Sequence, residues 1–142
     1  MKKTALIIIV LILSINSFSQ EVKETFTING NLEGDYSGMI YLRSSALEYV
    51  NDSCLVVDKK FTFNGKLGSP AKVSVSLKPT STVAFFYLEN NIVDLTISTT
   101  VFKNGNEDIN DVEIKKVTGS KTNDLMTSID DYQKTIEKSA LS

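Results

Sequence analysis

Cys54 is the single thiol of a 142-residue sequence that contains no histidine and no tryptophan. Those two facts remove most of the chemistry a small protein can do. A serine nucleophile needs a base, usually histidine, to take its proton; a Ser–Lys arrangement is the remaining variant, and no such pair stands at a convincing spacing. Dithiol exchange needs a second cysteine to release the mixed disulfide, normally at C-x-x-C spacing. Cys54, beside Leu55 and Val56, reads instead as a small core residue. Zinc needs several His or Cys ligands. Calcium has one candidate stretch, Asn104 to Glu113, with Asp108, Asp111 and Glu113 as oxygen donors. Its spacing is not that of an EF-hand, and a solvated loop is expected there. Glu89 and Asp94 are the best carboxylate pair for acid–base work, but nothing sets them across a pocket, so both are expected to be strand-end charges. Tyr36, Tyr41, Tyr49, Phe85, Phe86 and Tyr87 are candidates for stacking on a sugar or a base, with core positions the expectation for most. Gly30, Gly34 and Gly38, four apart on polar flanks, are expected in turns and at strand ends. The residues therefore assign no catalytic, cofactor-binding or metal-binding position, and the expectation is a protein that is not an enzyme.

The start of the chain carries a different signal. Met1-Lys2-Lys3 is positive, Ala5 to Leu13 is unbroken apolar sequence, and Ser17-Phe18-Ser19 has the small-x-small pattern of a cleavage site. Together they form a signal peptide over residues 1–19. A bilayer-spanning helix takes about 20 apolar residues, more than this run has, so no stable membrane insertion is expected after cleavage. No cysteine near the cut marks a lipoprotein. Removing residues 1–19 takes two lysines and no acid, leaving 123 residues with 13 basic and 17 acidic side chains. That length suits one domain. With no Lys or Arg run longer than two, nucleic-acid binding is not expected. A single cysteine excludes an internal disulfide, so stability has to come from the core.

Thr25 to Val117 reads as short strands. Phe26, Ile28 and Leu32 alternate with Thr27, Asn29 and Asn31. Gly34 to Gly38 turns into Met39–Arg43, and Tyr49–Val57 follows, ending in a tight turn at Asp58-Lys59. Lys60–Leu67 places Phe61, Phe63 and Gly65 on one face; Ala71–Lys78 places Val73, Val75 and Leu77 inside. Val83–Leu88 is continuously apolar, as a strand buried on both faces would be. Asn90-Asn91 turns into Ile92–Thr99, and Val112–Val117 closes the series. Phe61, Phe63, Val73, Val75, Leu77, Leu95 and Ile97 are the expected core. The fold class expected is mainly β: a small antiparallel sandwich or open barrel of about seven to eight strands over residues 20–119.

Residues 120–142 change period. Leu125, Ile129, Tyr132 and Ile136 recur at 4, 3 and 4, within about 60° of one another around a helix. Ser120 or Thr122 can cap its start, and an amphipathic helix is expected from about Asn123 to Lys138.

Several marks occur in a telling order: Phe26–Leu32 with Gly30, Asp52-Ser53 before a strand, Phe61-x-Phe63-x-Gly65, Glu89-Asn90 before an Ile/Val strand, and Gly119-Ser120 opening a helix. This series resembles the uncharacterised β-rich N-terminal domain, domain of unknown function 4369, that precedes the thioredoxin-like domain of exported TlpA/ResA-type thiol–disulfide oxidoreductases. The resemblance covers nearly all of the chain after residue 19 and carries no catalytic residue with it. It implies an exported, non-catalytic accessory module of the periplasm or cell envelope, working with a thioredoxin-like domain in cis or in trans. It further implies that residues 120–142 lead toward a domain beyond this chain. The alternative is a free-standing envelope sandwich that binds glycan or peptide through a sheet face or edge. A hydrolase is disfavoured by the missing histidine.

Overall fold

The computed structural model describes residues 23–44, 50–77, 82–104 and 107–140. The signal segment 1–19 and Tyr49 lie outside the described residues. Among the described residues, eight strands and one helix follow in order: β1 (Phe26–Glu33), β2 (Met39–Ser44), β3 (Asn51–Leu55), β4 (Lys60–Gly65), β5 (Ala71–Ser76), β6 (Ala84–Leu88), β7 (Ile92–Asn104), β8 (Glu107–Thr118) and α1 (Lys121–Ala140). They make two four-stranded sheets, β4-β1-β7-β8 and β3-β2-β5-β6, packed as a sandwich rather than a closed barrel.

Period-2 alternation fixes which side chains enter the space between the sheets. Phe26, Ile28 and Leu32 from β1, Phe61 and Phe63 from β4, and Leu95 and Ile97 from β7 meet Ile40, Leu42, Val73, Val75, Phe86 and Leu88 from the second sheet in one cluster. All seven expected core residues are in it. Gly30 also sits inside β1, not at a turn or strand end, because the Phe61 ring lies where its side chain would be: an added Cβ would come within 2.2 Å of three ring atoms. The hairpin into β4 turns at Asp58 and Lys59, whose φ values of 49° and 62° match the twist of the flanking strands.

Four further expectations are corrected. The sandwich is not wholly antiparallel, since β1 and β7 pair in parallel from Thr27↔Ile92 to Glu33↔Ser98. The chain leaves the first sheet after β1 for β2 and β3, returns as β4 antiparallel on one side of β1, crosses again for β5 and β6, and comes back as β7 on the other side of β1, running the same way. The run Val83–Leu88 is not buried on both faces. β6 is the edge of the second sheet, so Phe86 and Leu88 face the core while Phe85 is 57% exposed. The stretch Asn104–Glu113 is not a loop, because β7 continues to Asn104 and β8 begins at Glu107. Past Ser98, where β1 ends, the two form a projecting ribbon; cross-strand pairing around Val101, Phe102 and Ile109 carries strand structure through a polar sequence. Asp52-Ser53 lies within β3 and not before a strand, because backbone pairing with Leu42 and Tyr41 of β2 carries the strand back through both residues.

Candidate interaction surface

The outer face of the second sheet brings together residues far apart in sequence. Outward positions alternate with core positions, which places Tyr41 and Arg43 on β2, Lys72 and Ser74 on β5, and Phe85 and Tyr87 on β6. Register sets them side by side: Arg43 opposite Ser74, Ser74 opposite Phe85, and Lys72 opposite Tyr87. The Lys72 ammonium lies 4.9 Å from the centre of the Phe85 ring and 6.0 Å from that of Tyr87, and the Arg43 guanidinium 5.5 Å from that of Tyr41. Each is a cation drawn to an aromatic face. Three of the six aromatic candidates thus share one surface with two cations. Phe86 is in the core, and Tyr36 is a strut whose hydroxyl lies 2.7 Å from the carbonyl of Leu77 and 2.8 Å from that of Met39. Burial, followed by the nearby Tyr41, raises the Tyr36 pKa.

Phe85 also lines a groove of about 570 Å³ between β6, β8 and α1. A β-bulge at Thr96/Ile97 shifts the register of β8, so Lys115 and Lys116 both reach the groove from one side. Asn123, Asp124 and Asp131 line it from the helix.

The remaining candidates have structural partners. Glu89 and Asp94 do not face each other. Asp94 accepts a hydrogen bond from Asn29 at 3.1 Å. Glu89 accepts from the Lys121 N–H at 2.9 Å, the Thr122 N–H at 3.4 Å and the Thr122 hydroxyl at 2.5 Å. Burial pushes the Glu89 carboxyl up, but those three donors and the Lys121 charge outweigh it and hold the pKa below the usual value. Ser120 is the helix cap, accepting from the Asn123 N–H at 3.1 Å and donating to the Tyr87 carbonyl at 2.9 Å. Asn123 in turn accepts from the Tyr87 N–H, so the outward edge of β6 is paired with the helix start. Asn90 exchanges two hydrogen bonds with the Leu67 backbone, and Asn91 donates to the Gly119 carbonyl. Glu89, Asn90, Asn91, Gly119 and Ser120, read in the sequence only as marks of a family, converge into one joint that fixes how α1 leaves the sandwich. Their separation of about thirty residues hid this.

Asp111 accepts from the Thr82 hydroxyl at 2.6 Å and from the Val112 N–H, and Glu113 pairs with Lys115. Among the described residues no group of three or more metal-ligating side chains converges. Cys54 is half-buried on the core side of β3. Its thiol pKa is raised, by burial first and by Asp52 in addition, against a lowering hydrogen bond from the Thr62 backbone. That is the opposite of what an attacking thiol needs.

One family profile, described as a domain of unknown function (DUF4369), matches residues 26–126. The chain belongs to this family. The match begins with β1 and ends in the first turns of α1, so the sandwich and its joint to the helix form the family's common unit. No curated protein and no solved structure matches the chain. Among the described residues, no helix is long and apolar enough to cross a membrane.

Proposed function

We propose that this DUF4369 chain is a non-catalytic, exported module of a thioredoxin-like thiol–disulfide oxidoreductase system in the bacterial cell envelope. It holds a thioredoxin-like partner, in cis or in trans, against the outer face of its second sheet. The observation that carries this reading is the grouping of Tyr41, Phe85 and Tyr87 with Arg43 and Lys72 on that face. Aromatic residues and arginine are the side chains enriched where proteins bind one another. The raised pKa of the half-buried Cys54 supports a carrier rather than a redox catalyst, and the order of the family marks supports a thioredoxin-like partner.

Calorimetric titration with a thioredoxin-like envelope protein, alongside a protein-disulfide reduction assay, tests the reading. Binding is expected, weakened roughly tenfold or more by Phe85→Ala, with no turnover by the chain alone. Absence of binding, or turnover that disappears in Cys54→Ser, overturns it.

A second reading is a free-standing binder of glycan or peptide. The adjacent rings of Phe85 and Tyr87 under one ammonium suit the apolar face of a sugar or an extended acidic segment. Binding of an oligosaccharide or peptide that Phe85→Ala abolishes, without binding to the thioredoxin-like protein, selects this reading.

A further inference from the structure

Helix α1 turns the wrong side toward its own domain. The side chains that line the groove, from Asn123 to Asp131, are polar. The apolar residues Leu125, Ile129, Tyr132 and Ile136 are 40–68% exposed, and no residue of α1 is buried. At 100° per residue the apolar stripe lies roughly 140° around the helix from the groove-lining side chains. Ser120, Asn123 and Glu89 fix this orientation, since their direct hydrogen bonds set the helix direction.

The spacing identifies what the stripe fits. Leu125, Ile129, Tyr132 and Ile136 occupy successive d, a, d and a positions of a heptad repeat, the 3.5-residue period of a two-helix seam. The flanking e and g positions, Met126, Ser128, Gln133 and Thr135, carry no charge. Every ionisable side chain from Asp124 to Lys138 other than Tyr132, namely Asp124, Asp130, Asp131, Lys134, Glu137 and Lys138, occupies an outer b, c or f position. Two identical helices can therefore meet along this seam without placing like charges against each other. In a parallel pair, β-branched Ile129 and Ile136 at both a positions favour two strands, and the d positions set Leu125 against Leu125 and Tyr132 against Tyr132. The seam points away from the sandwich, so the two sandwiches would flank the helix pair instead of colliding. From Tyr132 to Ala140 the helix extends past the groove-lining residues by roughly 13 Å, a length that gains little stability in water without a partner.

We propose that α1 is a dimerisation helix, pairing in parallel with α1 of a second copy of this chain through Leu125, Ile129, Tyr132 and Ile136. This surface is separate from the sheet face assigned to a redox partner, so either assignment can fail without the other.

The test uses protein purified from cells expressing the whole sequence. Sedimentation over a hundredfold concentration series should show a monomer–dimer equilibrium. Ile129→Asp should weaken the dimer roughly tenfold or more without moving the sandwich's thermal transition, since this side chain is exposed. In a Cys54→Ser background, Ser139→Cys lies at the next d position, and a parallel pair brings the two new thiols together. Mild oxidation should then give a covalent dimer, lost when Ile129→Asp is added. A monomer throughout the series overturns the proposal and leaves the stripe to another segment or protein. A dimer that persists in Ile129→Asp, or one that does not cross-link through residue 139, also overturns it.

Discussion

At the scale of single residues, the polar side chains that looked most chemical are committed to holding backbone. Glu89 is the clearest case, because a carboxylate that accepts from the first N–H groups of a helix stabilises it both by hydrogen bonding and through the helix dipole. Its pKa is lower in the folded protein than in the unfolded chain. Its contribution is therefore complete above the ordinary carboxylate value of about 4.3, and it is lost as the pH falls through the lower folded value. Glu89→Gln should loosen the first turn of α1 by roughly 1–2 kcal/mol at neutral pH. It should also flatten the acid dependence of amide exchange at Lys121 and Thr122. An unchanged acid profile in that variant would show that Glu89 does not govern the joint. Lys59 presents the opposite situation. A φ of 62° costs a side chain with a Cβ about 1–2 kcal/mol, and its ion pair with Asp35, at 3.9 Å, is an exposed one. Lys59→Gly should raise stability by up to about 1 kcal/mol, read as a shift in denaturant midpoint at constant slope.

At the scale of elements, strand type follows position in the sheet more than composition. β6 is almost wholly apolar yet lies at an edge, and β8 is mostly polar yet pairs with β7 along its length except at the bulged Lys115. The helix depends on the strands through Gly119, whose φ is 88° and whose added Cβ would sit 2.2 Å from the carbonyl oxygen of Ile92. That neighbour is backbone in the start of β7 and cannot swing aside. Gly119→Ala should therefore cost more than about 2 kcal/mol, combining the left-handed penalty with the clash. The loss should show first as reduced amide protection in α1 and at Ile92. Equal protection in variant and parent would mean the joint tolerates displacement.

At the scale of the whole molecule, one apolar layer between two sheets carries the stability. Phe63 is among its largest fully buried side chains and packs edge-to-face with Phe61, ring centres 6.0 Å apart. Phe63→Ala should cost about 3–5 kcal/mol, a large share of the roughly 5–15 kcal/mol that holds a domain of this size. A loss below about 1 kcal/mol by denaturant unfolding would show that the layer repacks around the vacancy. The alternation of Phe61 with Phe63, and of Val73 with Val75, was enough by itself to assign the core, because side-chain direction in a strand has a period of two whatever the strand pairs with. The 4-3-4 spacing from Leu125 to Ile136 likewise identified a helix and its apolar stripe. Pairing partners were a different matter. The parallel contact of β1 with β7, the edge position of β6 and the ribbon beyond Ser98 all depend on which strands meet across long sequence separations, and alternation within a strand is silent about its neighbours. The same holds for the surface. Tyr41, Lys72 and Phe85 become neighbours, Glu89 reaches Thr122, and the stripe of α1 faces outward, only once the sheets close on their shared core and the joint at Gly119 sets the helix direction.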